Sequence, residues 1–191
     1  ATFDAGVGRG SLNLFVALVG KPGAGKDRTV GMARDAVTVV CEGKHLEPLE
    51  LSLGSGEGVA EALQPGEGHT VSIPVLFGAS ELGEVAALMG RQGSTLRGNV
   101  LKIYSGNPLG FTNRGEKFTV AAGSYTAGLW VGVQPDKAGA LLEGQDDGLS
   151  HRFVWTELID PTRAVNREQH DAQPGALLSV SLPPEVIDGK P

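Results

Sequence analysis

The chain alternates between short apolar runs and stretches in which apolar residues recur every three or four positions. The first run, LNLFVALVG at residues 12–20, is nearly continuous, which is typical of a strand buried on both faces of a parallel sheet. From Asp27 onward apolar residues return at steps of three and four as far as Val40, which is the spacing of a helix with one buried face. A buried strand followed by an amphipathic helix is therefore predicted at this end of the chain.

The same alternation continues further along the sequence. More strands are predicted at residues 49–53, 71–77, 125–133 and 151–158. Helical spacing of apolar residues fills segments between them, at residues 59–63, 80–90 and 95–104. Pro74 favours an edge position or a bulge for its strand, because proline cannot donate to a sheet. Strands that alternate with helices predict an α/β fold of the doubly wound kind, with a mainly parallel sheet flanked by helices.

One segment interrupts this alternation and predicts a β-hairpin insertion. Residues 109–122, LGFTNRGEKFTVAA, place Asn-Arg-Gly turn chemistry between two strand-like halves. The hairpin carries Arg114 and Lys117, with Phe111 and Phe118 nearby. Basic and aromatic side chains on a hairpin suit single-stranded nucleic acid, through phosphate contact and base stacking. The alternative is that Phe118 belongs to the core and that the two charges are ordinary surface residues.

The length and the change in composition near the end predict one domain with a tail. A chain of 191 residues suffices for one domain with a sizeable core. From Asp160 onward the sequence becomes polar and contains prolines, with one strand-like segment, ALLSVSL, near its end. We therefore expect a core at residues 1–159 and a C-terminal tail at 160–191, with one added strand. The abrupt start in ATFDAGVGRG suggests a piece of a longer protein.

Charge and cysteine content restrict the classes of function. A net charge of -6 and a pI near 5.2 argue against a generally basic nucleic-acid coat, so any DNA contact is expected to be local. A single cysteine excludes an intramolecular disulfide, and the four histidines show no metal-ligand spacing, which favours a reducing, cytoplasmic setting. No apolar run reaches the roughly 18 residues of a membrane span, so we expect no membrane association.

The strongest chemical signal is the segment GKPGAGKDRT, at residues 20–29. Gly20, Gly25 and Lys26 match the phosphate-binding pattern of glycine, four residues and Gly-Lys, but Asp27 stands where Ser or Thr is expected. The segment lies between a predicted strand and a predicted helix, whose N-terminus can direct free N–H groups at phosphates. ATP binding is therefore predicted, and a glycine-rich turn is the simpler alternative. The predicted binding residues are Gly20, Pro22, Gly23, Ala24, Gly25, Lys26, Asp27 and Arg28, with Lys26 on the β- and γ-phosphates.

Asp27 has two explanations. A carboxylate in the first turn of a helix is favoured by the helix dipole alone, by about 0.3–1 kcal/mol. A carboxylate can also bind Mg²⁺, but it adds negative charge beside the β-phosphate, so ATP binding should depend steeply on the metal. We expect ATP with Mg²⁺, and Asp27 and Glu81 as the metal ligands.

Two glutamates are candidates for the residue that positions or deprotonates the attacking water. Glu81 follows the third predicted strand, where such an acid is normally presented, although Ser80 precedes it in place of an aspartate. Glu57, in GSGEG after the second strand, is a rival base. Both carboxylates are equally compatible with solvated positions at helix starts.

Gln134 and Arg152 complete the predicted site. Gln134 ends the strand at residues 125–133 and would face the γ-phosphate if that strand neighbours the first one; a plain Gln-Pro turn is the alternative. Arg152 follows an acidic loop that contains glycine and begins a strand. An arginine in this position can reach a neighbouring subunit's nucleotide as a finger, which contributes about 10³–10⁵ in rate in known cases. A surface arginine is the alternative.

These segments, in this order, resemble a known family. SELGEVAALMGRQGSTLRGNVLKIYSGNPLGFTNRGEKFTVAAGSYTAGLWVGVQPDKAGALL and then DDGLSHRFVW are similar to the helicase-like P-loop domains of phage, plasmid and bacterial replication proteins, and LSLGSGEGVAEAL matches the same family. The resemblance covers residues 12–158 and is most specific at 80–109. The segment Gly148 to Phe153 also resembles the arginine-finger SRF of minichromosome-maintenance helicases, which makes Arg152 the best finger candidate.

The resemblance implies a RecA- or AAA-like P-loop ATPase that acts on single-stranded DNA during replication. It also implies a homo-oligomer, with a hexameric ring as one form. Asp27 departs from the common phosphate loop, which has Ser or Thr at this position. Two alternatives remain open. One is a small phosphotransferase such as a nucleotide kinase, although the chain lacks the arginine cluster of a kinase lid. The other is a scaffold that binds ATP without hydrolysing it and so holds an assembly together.

Overall fold

A five-stranded parallel sheet forms the centre of the structure. The computed structural model describes residues 2–4, 9–41, 44–46, 49–113, 116–142, 147–158 and 178–182. The strands are β1 (Thr2–Asp4), β2 (Arg9–Ser11), β3 (Leu14–Val19), β4 (Val37–Cys41), β5 (Lys44–Leu46), β6 (Leu49–Ser52), β7 (Val75–Ala79), β8 (Leu109–Asn113), β9 (Glu116–Val120), β10 (Ala127–Val133), β11 (Phe153–Glu157) and β12 (Leu178–Leu182). The helices are α1 (Lys26–Ala36), α2 (Gly56–Ala62), α3 (Leu82–Met89), α4 (Leu96–Tyr104) and α5 (Gly139–Leu142), with 3₁₀ turns at Pro135–Lys137 and Ser150–Arg152.

The central sheet has the strand order β11-β3-β10-β7-β6, and every neighbouring pair is parallel. Val19 at the end of β3 lies in register with Val133 of β10 and with Glu157 of β11. The prediction of an α/β fold with a mainly parallel sheet flanked by helices is confirmed. Because all five strands point the same way, the segments that follow them all begin at the carboxyl ends of the strands, on one side of the sheet.

The hydrophobic core covers one face of this sheet. Alternate residues of β3, β7 and β10, such as Phe15, Phe77 and Leu129, are buried against apolar side chains of α2, α3 and α4, including Val59 and Leu96. Full burial of such a side chain contributes about 1.5–3 kcal/mol. The strands and these three helices therefore form a packed base that fixes the loops at the strand ends.

Most predicted elements are confirmed, but two expectations are wrong. The helix after the first strand ends at Ala36, and Val37–Cys41 is strand β4. β-Branched side chains in VTVV lose rotamer freedom in a helix and favour a strand, and the pairing of β4 with β5 and β12 satisfies that preference. Pro74 also does not mark an edge strand. It precedes β7, which begins at Val75 and lies between β10 and β6.

The remaining strands form small sheets outside the central one. The predicted hairpin is confirmed, because β8 and β9 pair antiparallel with Phe111 opposite Phe118. The strand-like segment near the C-terminus is also confirmed as β12, which pairs parallel with β4. All other residues from Ile159 onward lie outside the described residues. Across the described ranges, no helix is both long enough and apolar enough for a bilayer crossing.

Candidate functional site

The chain reverses its winding direction between strands β3 and β10. From β3 the chain passes α1 and reaches β6 at one edge of the sheet, whereas from β10 it crosses β3 and reaches β11 at the other edge. In open parallel sheets, ligands bind in the crevice beyond the carboxyl ends of strands at such a switch point. The crevice here is bordered by residues 20–25, which we call the glycine-rich loop, and by Gln134 after β10.

Backbone hydrogen bonds hold the glycine-rich loop in a curled conformation. The Gly20 amide donates to the Val133 carbonyl at 2.9 Å and attaches the start of the loop to β10. The Ala24 amide donates to the Lys21 carbonyl at 3.0 Å and closes the turn. A Cβ on Gly20 would lie 2.9 Å from the Cβ of Ala24, so the turn requires glycine at this position. The loop is therefore a formed concavity beside β10.

The N-terminus of α1 presents free amides to this concavity. Gly25 precedes the helix in the left-handed conformation, with φ of 85°, and provides no side-chain cap. Within the part of the chain that the structure describes, the amides of Gly25, Lys26 and Asp27 donate to no acceptor. Together with the positive end of the helix dipole, such amides favour an anion.

Lys26 is held inside the curled loop. Its side chain is only 9% exposed, and Nζ lies 3.2 Å from the Gly20 carbonyl and 3.4 Å from the Lys21 carbonyl, to which it donates. Gly132 on β10 makes room for the stem: a Cβ there would lie 3.2 Å from Lys26 Cδ and 2.1 Å from the Ser80 carbonyl oxygen. The ammonium group therefore lies where it can meet an anion bound by the loop.

Glu81 and Gln134 meet at the same edge of the sheet. Gln134 Nε2 donates to Glu81 Oε1 at 3.1 Å and to Oε2 at 3.2 Å. The two residues follow β7 and β10, which are neighbours, and the condition stated for Gln134 is met because β10 also neighbours β3. The structure thus brings Lys26, Glu81 and Gln134 to one crevice.

Lys137 is a further charged residue at this position and was not predicted from the sequence. Its Nζ lies 3.6 Å from Glu81 Oε2, with both side chains about half exposed. An ion pair as exposed as this one contributes about 0–1 kcal/mol, so it leaves both groups available to a ligand. The signal was present in Gln-Pro-Asp-Lys: a 3₁₀ turn after proline brings the third residue back to the strand end.

The other loop positions are accessible to a ligand. Pro22, Asp27 and Arg28 are exposed. Among the described residues, no three His, Cys, Asp or Glu side chains form a group that could hold a metal ion. Mg²⁺ in nucleotide sites uses one or two carboxylates together with phosphates and waters. The exposed carboxylate of Asp27 beside the loop therefore fits a metal that arrives with a nucleotide.

Glu57 lies apart from this crevice. It begins α2 after β6, and the strands β7 and β10 separate β6 from β3. Thr95 Oγ1 donates to Glu57 Oε1 at 2.7 Å, and this hydrogen bond is the main cause that lowers the pKa of Glu57 below its ordinary 4.5. The structure does not bring Glu57 together with Lys26, which favours Glu81 of the two candidate bases.

Arg152 lies at the amino end of β11, whereas Lys26 follows the carboxyl end of β3. Arg152 precedes β11, which runs parallel to β3, so about 15 Å of strand separates it from the carboxyl edge. Its Nη1 donates to the carbonyls of Asp147 and Gly148, at 3.1 and 2.8 Å, and its guanidinium lies 5.8 Å from the centre of the Tyr104 ring. Its Nε is buried without a partner in the described ranges. Action on a neighbour's nucleotide stays a prediction, and action on its own loop is geometrically excluded.

The hairpin places its two phenylalanines together. The rings of Phe111 and Phe118 stack with centroids 5.7 Å apart and an angle of 21° between planes. Phe118 also packs partly buried against the core, as the alternative explanation required. Arg114 lies outside the described residues, and only the backbone of Lys117 is described. Their contacts with nucleic acid stay a prediction.

No model of a known protein family matches the chain, and no curated protein matches it significantly. The resemblance of residues 12–158 to replication helicase domains therefore stays a prediction.

Proposed function

We propose that this chain is a P-loop ATPase domain that binds and hydrolyses ATP and acts on single-stranded DNA, as a helicase-like motor in a ring of identical subunits. One observation carries the proposal: Lys26 lies in a curled loop at the switch point of a parallel sheet, next to the Glu81–Gln134 pair. Phosphoryl transfer requires a cation, free helix amides and a carboxylate, and these groups lie together at the carboxyl ends of neighbouring strands.

Each residue has a role that follows from its position. Lys26 and the first amides of α1 hold the β- and γ-phosphates, and Asp27 is the protein's ligand for Mg²⁺, which supplies charge neutralisation when it binds with the nucleotide. Glu81 orients the attacking water. Gln134 donates to Glu81 and can donate to a terminal phosphate, so its choice of acceptor reports whether that phosphate is present.

Two features support an assembly that acts on a nucleic acid strand. Arg152 lies at the amino end of β11, far from the glycine-rich loop at the carboxyl end of β3, so it can complete a site only on a neighbouring subunit. The β8–β9 hairpin, with stacked Phe111 and Phe118, provides an aromatic surface that suits a single strand. The order of segments over residues 12–158, which resembles replication helicase domains, supports the same assignment.

The test is ATP turnover with and without single-stranded DNA, together with the particle size in solution. The motor predicts turnover that DNA stimulates, in a particle of several subunits. Binding without turnover would contradict hydrolysis and favour a scaffold. ATP affinity should fall sharply when Mg²⁺ is chelated, because Asp27 adds a negative charge beside the phosphates. An affinity that is indifferent to Mg²⁺ contradicts the role of Asp27.

A groove beside the site favours one competing function, a phosphotransferase. The groove has a volume of about 640 Å³ at the ends of β6 and β7 and is lined by Ser80, Trp130 and Arg34 among others. Its size suits a small acceptor molecule. Turnover that requires a nucleoside acceptor, and that DNA does not stimulate, would support this alternative over the motor.

A further inference from the structure

A second cleft shares no lining residue with the groove beside Ser80 and Trp130, and neither Lys26, Glu81 nor Gln134 lines it. It has a volume of about 260 Å³ and is lined by residues of α2, α4 and β8. Glu57, Thr95, Asn99, Lys102 and Phe111 contribute to its walls. The cleft therefore combines one carboxylate, one ammonium, neutral polar groups and one aromatic ring.

The polar wall of this cleft is held in place by hydrogen bonds. Glu57 Oε1 accepts from Thr95 Oγ1 at 2.7 Å, which fixes the exposed carboxylate beside α4. Asn99 is buried, and its Nδ2 donates to the Gly56 carbonyl at 2.8 Å. A Cβ on Gly56 would lie 2.6 Å from the Thr95 carbonyl carbon, so the two helices approach as closely as glycine permits. These contacts preorganise the acceptors and donors around the cleft.

The aromatic wall is also fixed. Phe111 lines the cleft and stacks on Phe118, which itself packs against the core. Gly110 has φ of 129°, and a Cβ there would lie 1.9 Å from the Phe118 carbonyl oxygen. Only glycine fits this position, so the strand carries Phe111 at a defined place. A flat ring beside ordered polar groups matches the faces and edges of a nucleobase.

We propose that this cleft binds a base of single-stranded nucleic acid, with a preference for bases that carry an exocyclic amino group. The proposal rests on the motor function, because it assigns where the strand binds. The ring of Phe111 stacks on the base, the Glu57 carboxylate accepts from the amino group, and Lys102 attracts the adjacent phosphate. Thymine offers no exocyclic amine to Glu57, whereas cytosine and adenine do.

The Glu57 carboxylate argues against two other ligands. A free phosphate group would face this negative charge, which is present at neutral pH since the pKa of Glu57 lies below its ordinary 4.5. A purely apolar ligand would remove water from the exposed Glu57 carboxylate and offer it no hydrogen-bond donor, which is unfavourable. A planar group with its own donors avoids both costs.

Gly98 provides a sharp test because it lines the cleft on α4 and a Cβ there meets nothing within 4 Å. Gly98→Leu should fill the cleft without disturbing the helix. The probes are fluorescently labelled oligodeoxycytidylate and oligothymidylate of about twelve nucleotides, within the site sizes of such proteins, measured by anisotropy without ATP. We expect Gly98→Leu to weaken the cytidylate complex about tenfold. Gly83→Leu is the matched control, because Gly83 is also an exposed helical glycine with open space at Cβ.

The base preference gives the second measurement. Wild type should bind the cytidylate probe about tenfold more tightly than the thymidylate probe, and Glu57→Gln should reduce that ratio, since an amide both donates and accepts. Equal affinities of wild type and Gly98→Leu, with Gly98→Leu folded by circular dichroism, overturn the cleft assignment and leave the motor proposal standing. If wild type binds neither probe and DNA does not stimulate its ATP turnover, the cleft and the motor fail together.

Discussion

The side-chain amide of Gln134 donates to both carboxylate oxygens of Glu81, at 3.1 and 3.2 Å. This contact occupies the carboxylate and fixes its direction at the end of β7. The residue proposed to sense the terminal phosphate is therefore bonded to the residue proposed to orient water. A substitution of either residue is therefore expected to change the orientation of the other side chain.

The first prediction concerns the proposed base. Glu81→Gln should lower kcat by about 10²–10⁴, the usual contribution of a general acid or base, while ATP binding persists. Steady-state turnover and equilibrium binding of a fluorescent ATP analogue measure the two effects. Glu61→Gln, an exposed glutamate on α2, is the matched control. A larger loss in Glu57→Gln than in Glu81→Gln would reverse the assignment of the base.

The second prediction concerns Lys26. Lys26→Ala removes a charged donor from the loop and should weaken ATP binding about 10–100-fold, since hydrogen bonds to charged groups contribute about 1.5–3 kcal/mol. Isothermal titration calorimetry with ATP and Mg²⁺ is the measurement. Lys21→Ala is the control, because Lys21 lies in the same loop but its side chain is exposed. Equal losses of ATP affinity in the two variants would show that positive charge near the loop, and not the buried position of Lys26, determines binding.

The third prediction concerns Gly132. An added methyl group would lie 2.1 Å from the backbone oxygen of Ser80, so Gly132→Ala should destabilise the fold by about 1–3 kcal/mol and displace the Lys26 stem. Gly128→Ala on the same strand is the control, because its methyl would lie 2.9 Å from the end of the flexible Leu76 side chain and 3.9 Å, an ordinary contact distance, from the Leu14 carbonyl oxygen. Urea denaturation measures both. Equal midpoints would show that β7 can shift to accommodate the methyl group.

The order of elements was predictable because its signals are local. Apolar runs and glycine clusters mark strands and turns wherever they occur, so the succession of β3, the glycine-rich loop and α1 followed from residues 12–36. The end of α1 was not predictable in this way. Residues 37–40 carry both helical spacing and β-branched side chains, and pairing with the distant β12 decided between them.

The composition of the site was only partly predictable for a related reason. That Gln134 lies near Lys26 depends on β10 being next to β3, and no pattern along the chain encodes strand order. The distance of Glu57 from Lys26 was not predictable for the same reason. It depends on the position of β6 at the edge of the sheet, with β7 and β10 between β6 and β3. Lys137 was missed because its approach to Glu81 depends on the shape of one turn.

The fourth prediction concerns acid stability. Arg97 donates to both carboxylate oxygens of Asp147, at 2.6 and 2.9 Å, and these bonds are the main cause that lowers the pKa of Asp147 below its ordinary 3.8. A lowered pKa in the folded state means that the stabilisation is complete above pH 3.8 and is lost as the pH falls through the lower folded value. Asp147→Asn should cost about 1 kcal/mol at neutral pH and flatten the acid limb of the stability curve.

Urea midpoints between neutral and acidic pH measure this effect. Arg97→Gln removes the other partner and should produce the same flattening. The double variant should add little to either single one, because both remove the same interaction. Additive losses would show that Arg97 and Asp147 stabilise the fold through separate contacts.

The fifth prediction concerns Arg152 in mixed assemblies. Arg152→Ala subunits and Lys26→Ala subunits should each have low turnover alone, whereas a mixture of the two should recover part of it, since a Lys26→Ala subunit can supply Arg152 to the intact loop of an Arg152→Ala neighbour. The measurement is turnover against mixing ratio at constant total protein. Arg91→Ala, an exposed arginine after α3, is the control. No recovery at any mixing ratio would contradict the action on the neighbour.

The position of Arg152 across the sheet from Lys26 also restricts how copies of the chain can associate. Under the proposed action of Arg152 on a neighbour's nucleotide, a contact between copies must bring the amino end of β11 in one subunit to the carboxyl end of β3 in the next. A two-fold dimer can satisfy both sites only if the two ends of the strands lie in one self-complementary patch, because residue i then contacts residue j and j contacts i. If the two ends lie in separate patches, the contact is heterologous. Such contacts either close under rotational symmetry or continue as a helical filament, and the tilt between successive copies decides which.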